Sequence, residues 1–270
     1  MIDVGNGPPL VLIPGLQGRW EWMRPTVNAL ARTFRVISFT LAGDWGSRVR
    51  FDERLGFDNF IVQIDQVLEE AGVESADFCG VSYGGLIAVR YAALRPARVR
   101  HLVLASALPP DYQLDQRYRF YRRAPTLLLP VFALTSARRA APELRAALPT
   151  LRARLRMVPQ AFRVIAAPVS PAHMKRRMEL IRTVDFSADV RQVRAPALAI
   201  TGEPGLDRTV PVQLTRRYLE CLPGTEHVVL DRTGHMGTVT RPVEFAAIVS
   251  SFVSRTTPSR DAVRASRMVG

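Results

Sequence analysis

Short apolar runs bounded by turn residues alternate along this chain with longer stretches of helical periodicity. "LVLI" (10–13), "FRVISF" (34–39), "ADFCGV" (76–81), "HLVLAS" (101–106), "ALAITG" (197–202) and "HVVLD" (227–231) read as strands. They are apolar on both faces, as strands of a parallel sheet covered on both sides must be. Between them "DNFIVQIDQVLEEAG" repeats Phe60, Ile64 and Val67/Leu68 at helical spacing and stops at Gly72, a C-terminal cap. "YGGLIAVRYAALRP" and "VPVQLTRRYLECLPG" behave the same way. Strand and helix in alternation predict an α/β fold with a mostly parallel sheet flanked by helices.

The alternation breaks between residues 109 and 183. That stretch has no β-like run, spaces Leu144, Leu148, Leu151 and Leu155 four, three and four apart, and is interrupted by Pro125, Pro130, Pro142, Pro149, Pro159, Pro168 and Pro171. It predicts several short helices inserted between two core strands, with residues 1–108 and 184–253 making the core. The tail, residues 254–270 ("SRTTPSRDAVRASRMVG"), has too little apolar content to pack and is expected to be disordered. With 270 residues and 47% apolar content the chain is long enough to bury a core of its own.

Charge sharpens that division. The formal net charge is +13, and residues 109–183 alone hold fourteen Arg and one Lys against four acids. Residues 254–270 hold four Arg and one Asp, so the remainder is close to neutral. The two cysteines, Cys79 in a predicted core strand and Cys221 near the end of a predicted helix, have neither disulfide nor metal-ligand spacing and read as buried fillers. "MIDVGNGPPLVLIPG" reads as turn then strand, not as a signal peptide, and the longest apolar segment, "APTLLLPVFALTSA", is too short to span a bilayer. A soluble, cytoplasmic protein is expected.

The chemistry centres on Gly80-Val81-Ser82-Tyr83-Gly84. This is G-x-S-x-G, and it falls between a predicted strand and a predicted helix, where a sharp turn strains the serine and lifts its hydroxyl above the sheet edge. The competing reading is an ordinary glycine-rich turn. A serine hydroxyl needs a base, which the pattern places on a later loop. Of the four histidines, His101 and His227 open predicted strands and read as structural, and His173 lies in the basic insertion as a surface residue or a substrate contact. His235, in "LDRTGHMG", follows the last strand and a glycine turn, and is the candidate base. "ITGEPGLDRTVP" offers Glu203 and Asp207 as the acid; Asp207 is preferred, with a helix N-terminal role as its alternative and Asp111 as the fallback.

In these residues and their order, Ser then Asp then His, the chain resembles the α/β-hydrolase superfamily over nearly its whole length apart from the insertion and tail. "GNGPPLVLIPGLQGRWEWMRP" looks like that family's strand and oxyanion loop, "FRVISFTLAGDWGS" like the next strand with its loop, and "APALAITGEPGLDRTVP" like a later strand entry. The resemblance implies an α/β-hydrolase fold with the insertion as its helical cap, whose first strand and most of its second have no counterpart here, leaving a shortened N-terminal sheet edge. It implies an oxyanion hole made by the backbone N–H groups of Leu16 and Tyr83. Two positions depart from it: Pro14 and Asp44 stand where histidines are usual.

The expected function is a serine hydrolase cleaving an ester-type bond of a small molecule through an acyl-enzyme, with Ser82, His235 and Asp207 as triad. No metal or organic cofactor is needed. Trp22, Leu128 and Phe132 are the candidate substrate contacts, within a wider apolar set of Leu127, Leu129, Val131 and Leu134 that suits either an acyl-pocket wall or cap core. The insertion's arginines suit an anionic substrate or an anionic membrane surface, against the alternative of a compositional habit in a chain with one lysine. Nothing points to nucleic acid. C–C bond hydrolysis, lactone opening, perhydrolysis and acyl transfer use the same triad, and a binding protein that kept the fold is the rival from another class.

Overall fold

The computed structural model describes residues 1–114 and 123–257. Strands β1 (Ile2–Val4), β2 (Pro9–Ile13), β3 (Arg35–Ser38), β4 (Ala76–Val81), β5 (Val99–Ala105), β6 (Ala197–Thr201) and β7 (Glu226–Val229) form a 7-stranded sheet in the order β1-β3-β2-β4-β5-β6-β7. All neighbours pair in parallel except β1, which runs antiparallel to β3 with Ile2 opposite Ser38 and Val4 opposite Val36. The helices are α1 (Arg24–Leu30), α2 (Asn59–Glu70), α3 (Tyr83–Leu94), α4 (Leu129–Ala147), α5 (Leu151–Leu155), α6 (Val158–Ala166), α7 (Pro171–Leu180), α8 (Phe186–Gln192), α9 (Val212–Arg216), α10 (Tyr218–Cys221), α11 (Gly237–Thr240) and α12 (Pro242–Thr256).

The six apolar runs become β2 to β7, and the core lies on both faces of the sheet. One cluster joins alternate strand residues such as Val11, Ile37, Phe78 and Leu104 to α2 and α3; the other joins Leu12, Val36, Cys79 and Val103 to α1 and α12. This two-sided burial is why β2 to β6 read as unbroken apolar runs, whereas β7, expected to be buried likewise, lies at the sheet edge and is only partly covered. β1 was not expected. Its three residues alternate Ile, Asp, Val before Gly5, too short a run for a periodic signal, and a paired Asp3 carboxylate and Arg35 guanidinium (2.6 and 3.0 Å) tie it to β3.

Between β5 and β6 the sheet alternation gives way to α4–α7. Of the seven prolines expected to interrupt this segment, Pro125, Pro149 and Pro168 lie between helices, whereas Pro130, Pro159 and Pro171 occupy the first turns of α4, α6 and α7, where their missing N–H has no partner to lose. Only Pro142 lies inside a helix, so α4 runs 19 residues where shorter pieces were expected. The single helical stretch expected over 210–224 is broken at Arg217 into α9 and α10. The last helix continues to Thr256, three residues into the segment expected to be an unpacked tail. Residues 258–270 of that tail, and 115–122 of the insertion, lie outside the described residues.

Candidate active site

The parallel strands end on one edge of the sheet, so the loops leaving β2, β3, β4, β6 and β7 gather there in spatial order. Ser82 fills the one position between β4 and α3, with φ 55° and ψ −117°, a conformation that costs a non-glycine residue about 1–3 kcal/mol. Its N–H donates to Ala105 O at 2.9 Å and its carbonyl accepts from Gly85 N at 3.0 Å, which hold the turn in place. The flanking glycines are obligatory: a Cβ on Gly84 would lie 2.5 Å from Ile13 O, and one on Gly80 2.4 Å from Gly84 O. Tyr83 follows as the first residue of α3, so its N–H has no acceptor within the helix. Its buried ring packs against Phe57 and Phe60 at centroid distances of 5.9 and 6.1 Å, fixing that peptide. The Tyr83 hydroxyl is buried without a hydrogen-bond partner among the described residues, and burial pushes its titration far up while the Arg177 charge opposes this.

Two strands away, Asp207 leaves the β6 loop and His235 the β7 loop. Asp207 Oδ1 accepts the N–H groups of Thr209 (3.0 Å) and Val210 (2.8 Å), and Oδ2 faces His235 Nδ1 at 3.2 Å. One buried carboxylate thus closes the turn at Thr209 and Val210 and faces the imidazole; it does not cap α9, whose N-cap is Pro211. Gly234 permits the approach, because a Cβ there would sit 2.5 Å from Leu206 C and O and 2.7 Å from Asp207 N. Burial disfavours the His235 imidazolium, but the charge and hydrogen bond of Asp207 and the charge of Glu143 outweigh it, so the ring titrates above its ordinary value. The other acids are occupied elsewhere: Glu203 accepts Arg232 N at 2.6 Å, and half-exposed Asp111 pairs with Arg217. Among the described residues, no hydrogen bond joins the Ser82 hydroxyl to His235.

The loop after β2 turns at Gly15–Gly18, closed by a Gly18 N–H to Gly15 O bond of 2.9 Å, and Gly15 lies against Ser82: a Cβ there would be 3.4 Å from Ser82 Cβ. Pro14 donates nothing to this loop. Its support comes from Arg177 of α7, which donates to Leu16 O at 2.7 Å and pairs with Asp44. Asp44 Oδ1 in turn meets His173 Nδ1 at 2.6 Å. Arg177 and Asp44 are both buried, so each neutralises a charge that would otherwise be costly. The residue that departs from the family pattern is the anchor of a different support.

On the other flank Glu143 of α4, also buried, accepts Met236 N at 2.8 Å from the histidine loop. Burial raises its titration, and the N–H groups of Met236 and Gly234 and the His235 charge pull it back only in part. The same helical segment reaches the loop before α1: Trp22 Nε1 donates to Ala167 O at 2.9 Å, and Gln160 Nε2 donates to Trp22 O at 2.8 Å. Of the apolar set at the start of α4, Leu128, Leu129 and Phe132 are half-buried. Val131 and Leu134 of α4, and Leu127 just before it, are exposed and so are not cap core.

His101 and His227 lie away from this edge. His101 is buried with Nδ1 2.7 Å from Asp77, and His227 Nε2 meets Thr201 Oγ1 at 2.9 Å. Cys79 is buried in β4, its thiol pushed up to about 12 by burial. The sequence reading missed Glu143 and Arg177. Glu143 left a signal, being the sole acid between residues 116 and 178, whereas nothing set Arg177 apart among fourteen arginines of the insertion.

A profile of the family described as alpha/beta hydrolase fold matches residues 8–242. The chain is 24% identical over 262 residues to the 2-hydroxy-6-oxo-2,4-heptadienoate hydrolase of Pseudomonas putida, covering 93% of this chain and 91% of that protein. It is 26% identical over 254 residues to the pimeloyl-[acyl-carrier protein] methyl ester esterase of Aliivibrio salmonicida, covering 92% and 93%. The enol-lactonase structure from Burkholderia xenovorans LB400 superposes with a TM-score of 0.73 at 21% identity, over 94% of this chain and 95% of that one.

Proposed function

The chain belongs to the α/β-hydrolase family, and on that premise we propose that it is a serine hydrolase acting on an ester-type carbonyl of a small molecule through an acyl-enzyme. The left-handed backbone of Ser82 between β4 and α3 is the observation that carries this reading. Ser106 and Arg232 also have positive φ, but of the three Ser82 alone stands directly between a strand and the first turn of a helix, where strain presents a hydroxyl beside free N–H groups.

In this scheme His235 keeps its Nδ1–H on Asp207, leaving Nε2 to take the Ser82 proton as Oγ bonds to the carbonyl carbon. The carbonyl electron pair moves to oxygen, where the N–H groups of Tyr83 and Leu16 receive it, each donor lowering the barrier by about 3 kcal/mol. The Nε2 proton then passes to the leaving alcohol as its C–O bond breaks. Water repeats the sequence on the acyl-enzyme and returns Ser82. Trp22, Leu128 and Phe132 are the side chains assigned to hold the acyl or alcohol part. α4–α7 act as the cap, and every group in the scheme belongs to this chain.

The related proteins named above are a heptadienoate hydrolase, a methyl ester esterase and an enol-lactonase. The same residues serve C–C cleavage, lactone opening, perhydrolysis and acyl transfer, so the cap pocket decides among them. The rival reading as a binding protein rested on Pro14 and Asp44, and the Arg177 support of the Leu16 carbonyl weighs against it. The test is labelling by a fluorophosphonate probe beside Ser82→Ala, followed by activated esters of increasing acyl length. Labelling of the wild type alone supports the proposal, and a folded protein that is never labelled overturns it.

A further inference from the structure

The one fully buried residue of helix α6 is polar. Gln160 is buried and its amide spans to Glu21 O (3.2 Å) and Trp22 O (2.8 Å), while Val158, Phe162 and Ile165, at i, i+4 and i+7, lie on one helix face and are 43%, 67% and 74% exposed. Leu151 and Leu155 of α5, one turn of chain earlier, are 72% and 58% exposed. The five apolar side chains repeat at intervals of four, three, four and three, the spacing of a continuous helical seam. A seam like this normally faces a core; here Gln160 holds the segment the other way round.

The surrounding charge says what such a face meets. From residue 144 to 178 there is no Asp or Glu, against seven Arg and one Lys. Arg152, Arg154, Arg156 and Arg163 are exposed beside the seam, and among the described residues none of the four is ion-paired. Their long stems let the apolar side chains sink while the guanidinium groups stay at the level of anionic headgroups.

We propose that the outward face of α5 and α6 docks on an anionic lipid surface. Pairing with a second copy would set arginines against arginines, with no acid between 144 and 178 to answer them. The chain's own last residues, 258–270, carry three Arg and one Asp and are repelled likewise. An acidic protein would satisfy the charge, but protein interface cores draw on Tyr and Trp, and this seam is aliphatic with a single Phe. A fluid bilayer asks for no matching pits, only apolar depth and basic flanks. The inference does not depend on which bond the enzyme cleaves. Because Gln160 joins the back of this helix to Trp22, a docked α6 would stand between the lipid and the loop leading from the oxyanion turn.

The experiment is flotation of the full chain with vesicles of phosphatidylglycerol and phosphatidylcholine in equal parts, beside vesicles of phosphatidylcholine alone, at low and raised salt. Binding to the anionic vesicles is expected, weakened by salt. The paired change Phe162→Ser, Ile165→Ser lowers partitioning by roughly a hundredfold through lost apolar burial. The triple change Arg152→Gln, Arg156→Gln, Arg163→Gln lowers it by about a hundredfold at about 1 kcal/mol per basic residue. Both variants keep wild-type turnover of a short, water-soluble ester. Failure to bind anionic vesicles at low salt overturns the proposal, as does binding that neither variant weakens. A wild-type dimer that the Phe162/Ile165 variant splits, read by light scattering, would give the face to a second copy. Binding to soluble acyl carrier protein without vesicle binding would give it to an acidic protein.

Discussion

Arg177 donates to the carbonyl oxygen of Leu16 across 2.7 Å and joins a helix inserted between β5 and β6 to the turn that follows β2. Its second arm, on Asp44, fixes the angle from which it holds the turn. A lysine cannot reach both acceptors at once. Arg177→Lys is therefore expected to lower kcat by roughly tenfold to a hundredfold with KM little changed, because a slack turn loses transition-state contacts more than substrate binding. Steady-state kinetics on one activated ester check this; a change confined to KM would assign Arg177 to ground-state binding.

The pH profile follows from His235. Its folded value is raised, so the imidazole stays protonated, and useless as a base, until the pH passes above the ordinary histidine value of about 6.5. The acid limb of kcat/KM is expected above that point. Stability runs in the opposite sense: the raised value contributes a term fully present below about 6.5 and lost as pH climbs through the folded value. Titrating activity and thermal melting in the same buffers separates the two.

Glu143 supplies part of that raised value by charge alone. Glu143→Gln retains an acceptor for Met236 N, so the protein should fold, and the acid limb of kcat/KM should move to lower pH. Glu143→Ala leaves buried N–H groups unanswered and should cost about 1–3 kcal/mol of stability, read by chemical denaturation. An unmoved limb in the glutamine variant would reduce Glu143 to a structural prop.

Asp207→Asn should lower ester turnover by about three to four orders of magnitude while the fold persists, since the amide favours the wrong imidazole tautomer. Asp111→Asn, which breaks only a half-exposed pair with Arg217, should leave turnover near wild type. The opposite pattern in the same assay would move the acid to the loop after β5.

Gly234→Ala places a methyl group 2.5 Å from the Leu206 backbone, so the β6 and β7 loops must part. The expected outcome is a folded protein with turnover reduced by about a hundredfold, because an ångström of displacement between catalytic groups costs that much. Histidine NMR would register the weakened bond to Asp207.

The strands and the elbow could be read from the chain because each is local: an apolar run records burial on both faces, and serine between glycines records a strained turn. Ser82, Asp207 and His235 are near the ends of strands that the pattern already located. β1 escaped because three residues hold too little periodicity, and of the insertion's helices only α4 was misjudged, because Pro142 lies inside it without breaking it. Arg177, Asp44 and Glu143 escaped for another reason. Their roles exist only across sequence separations of 133 residues for Arg177 with Asp44 and 93 for Glu143 with Met236. A charge paired at such range looks, in the sequence, like any surface charge.

One inserted segment therefore grips both halves of the candidate machinery, Glu143 on the loop of the base and Arg177 on the turn proposed to receive the oxyanion. Such a segment is not an interchangeable module. Transplanting the equivalent region of a relative to change substrate preference would strip both loops of their braces, and Asp44 would be left as an unanswered charge in the host. A workable chimaera has to carry Glu143 and Arg177 with it.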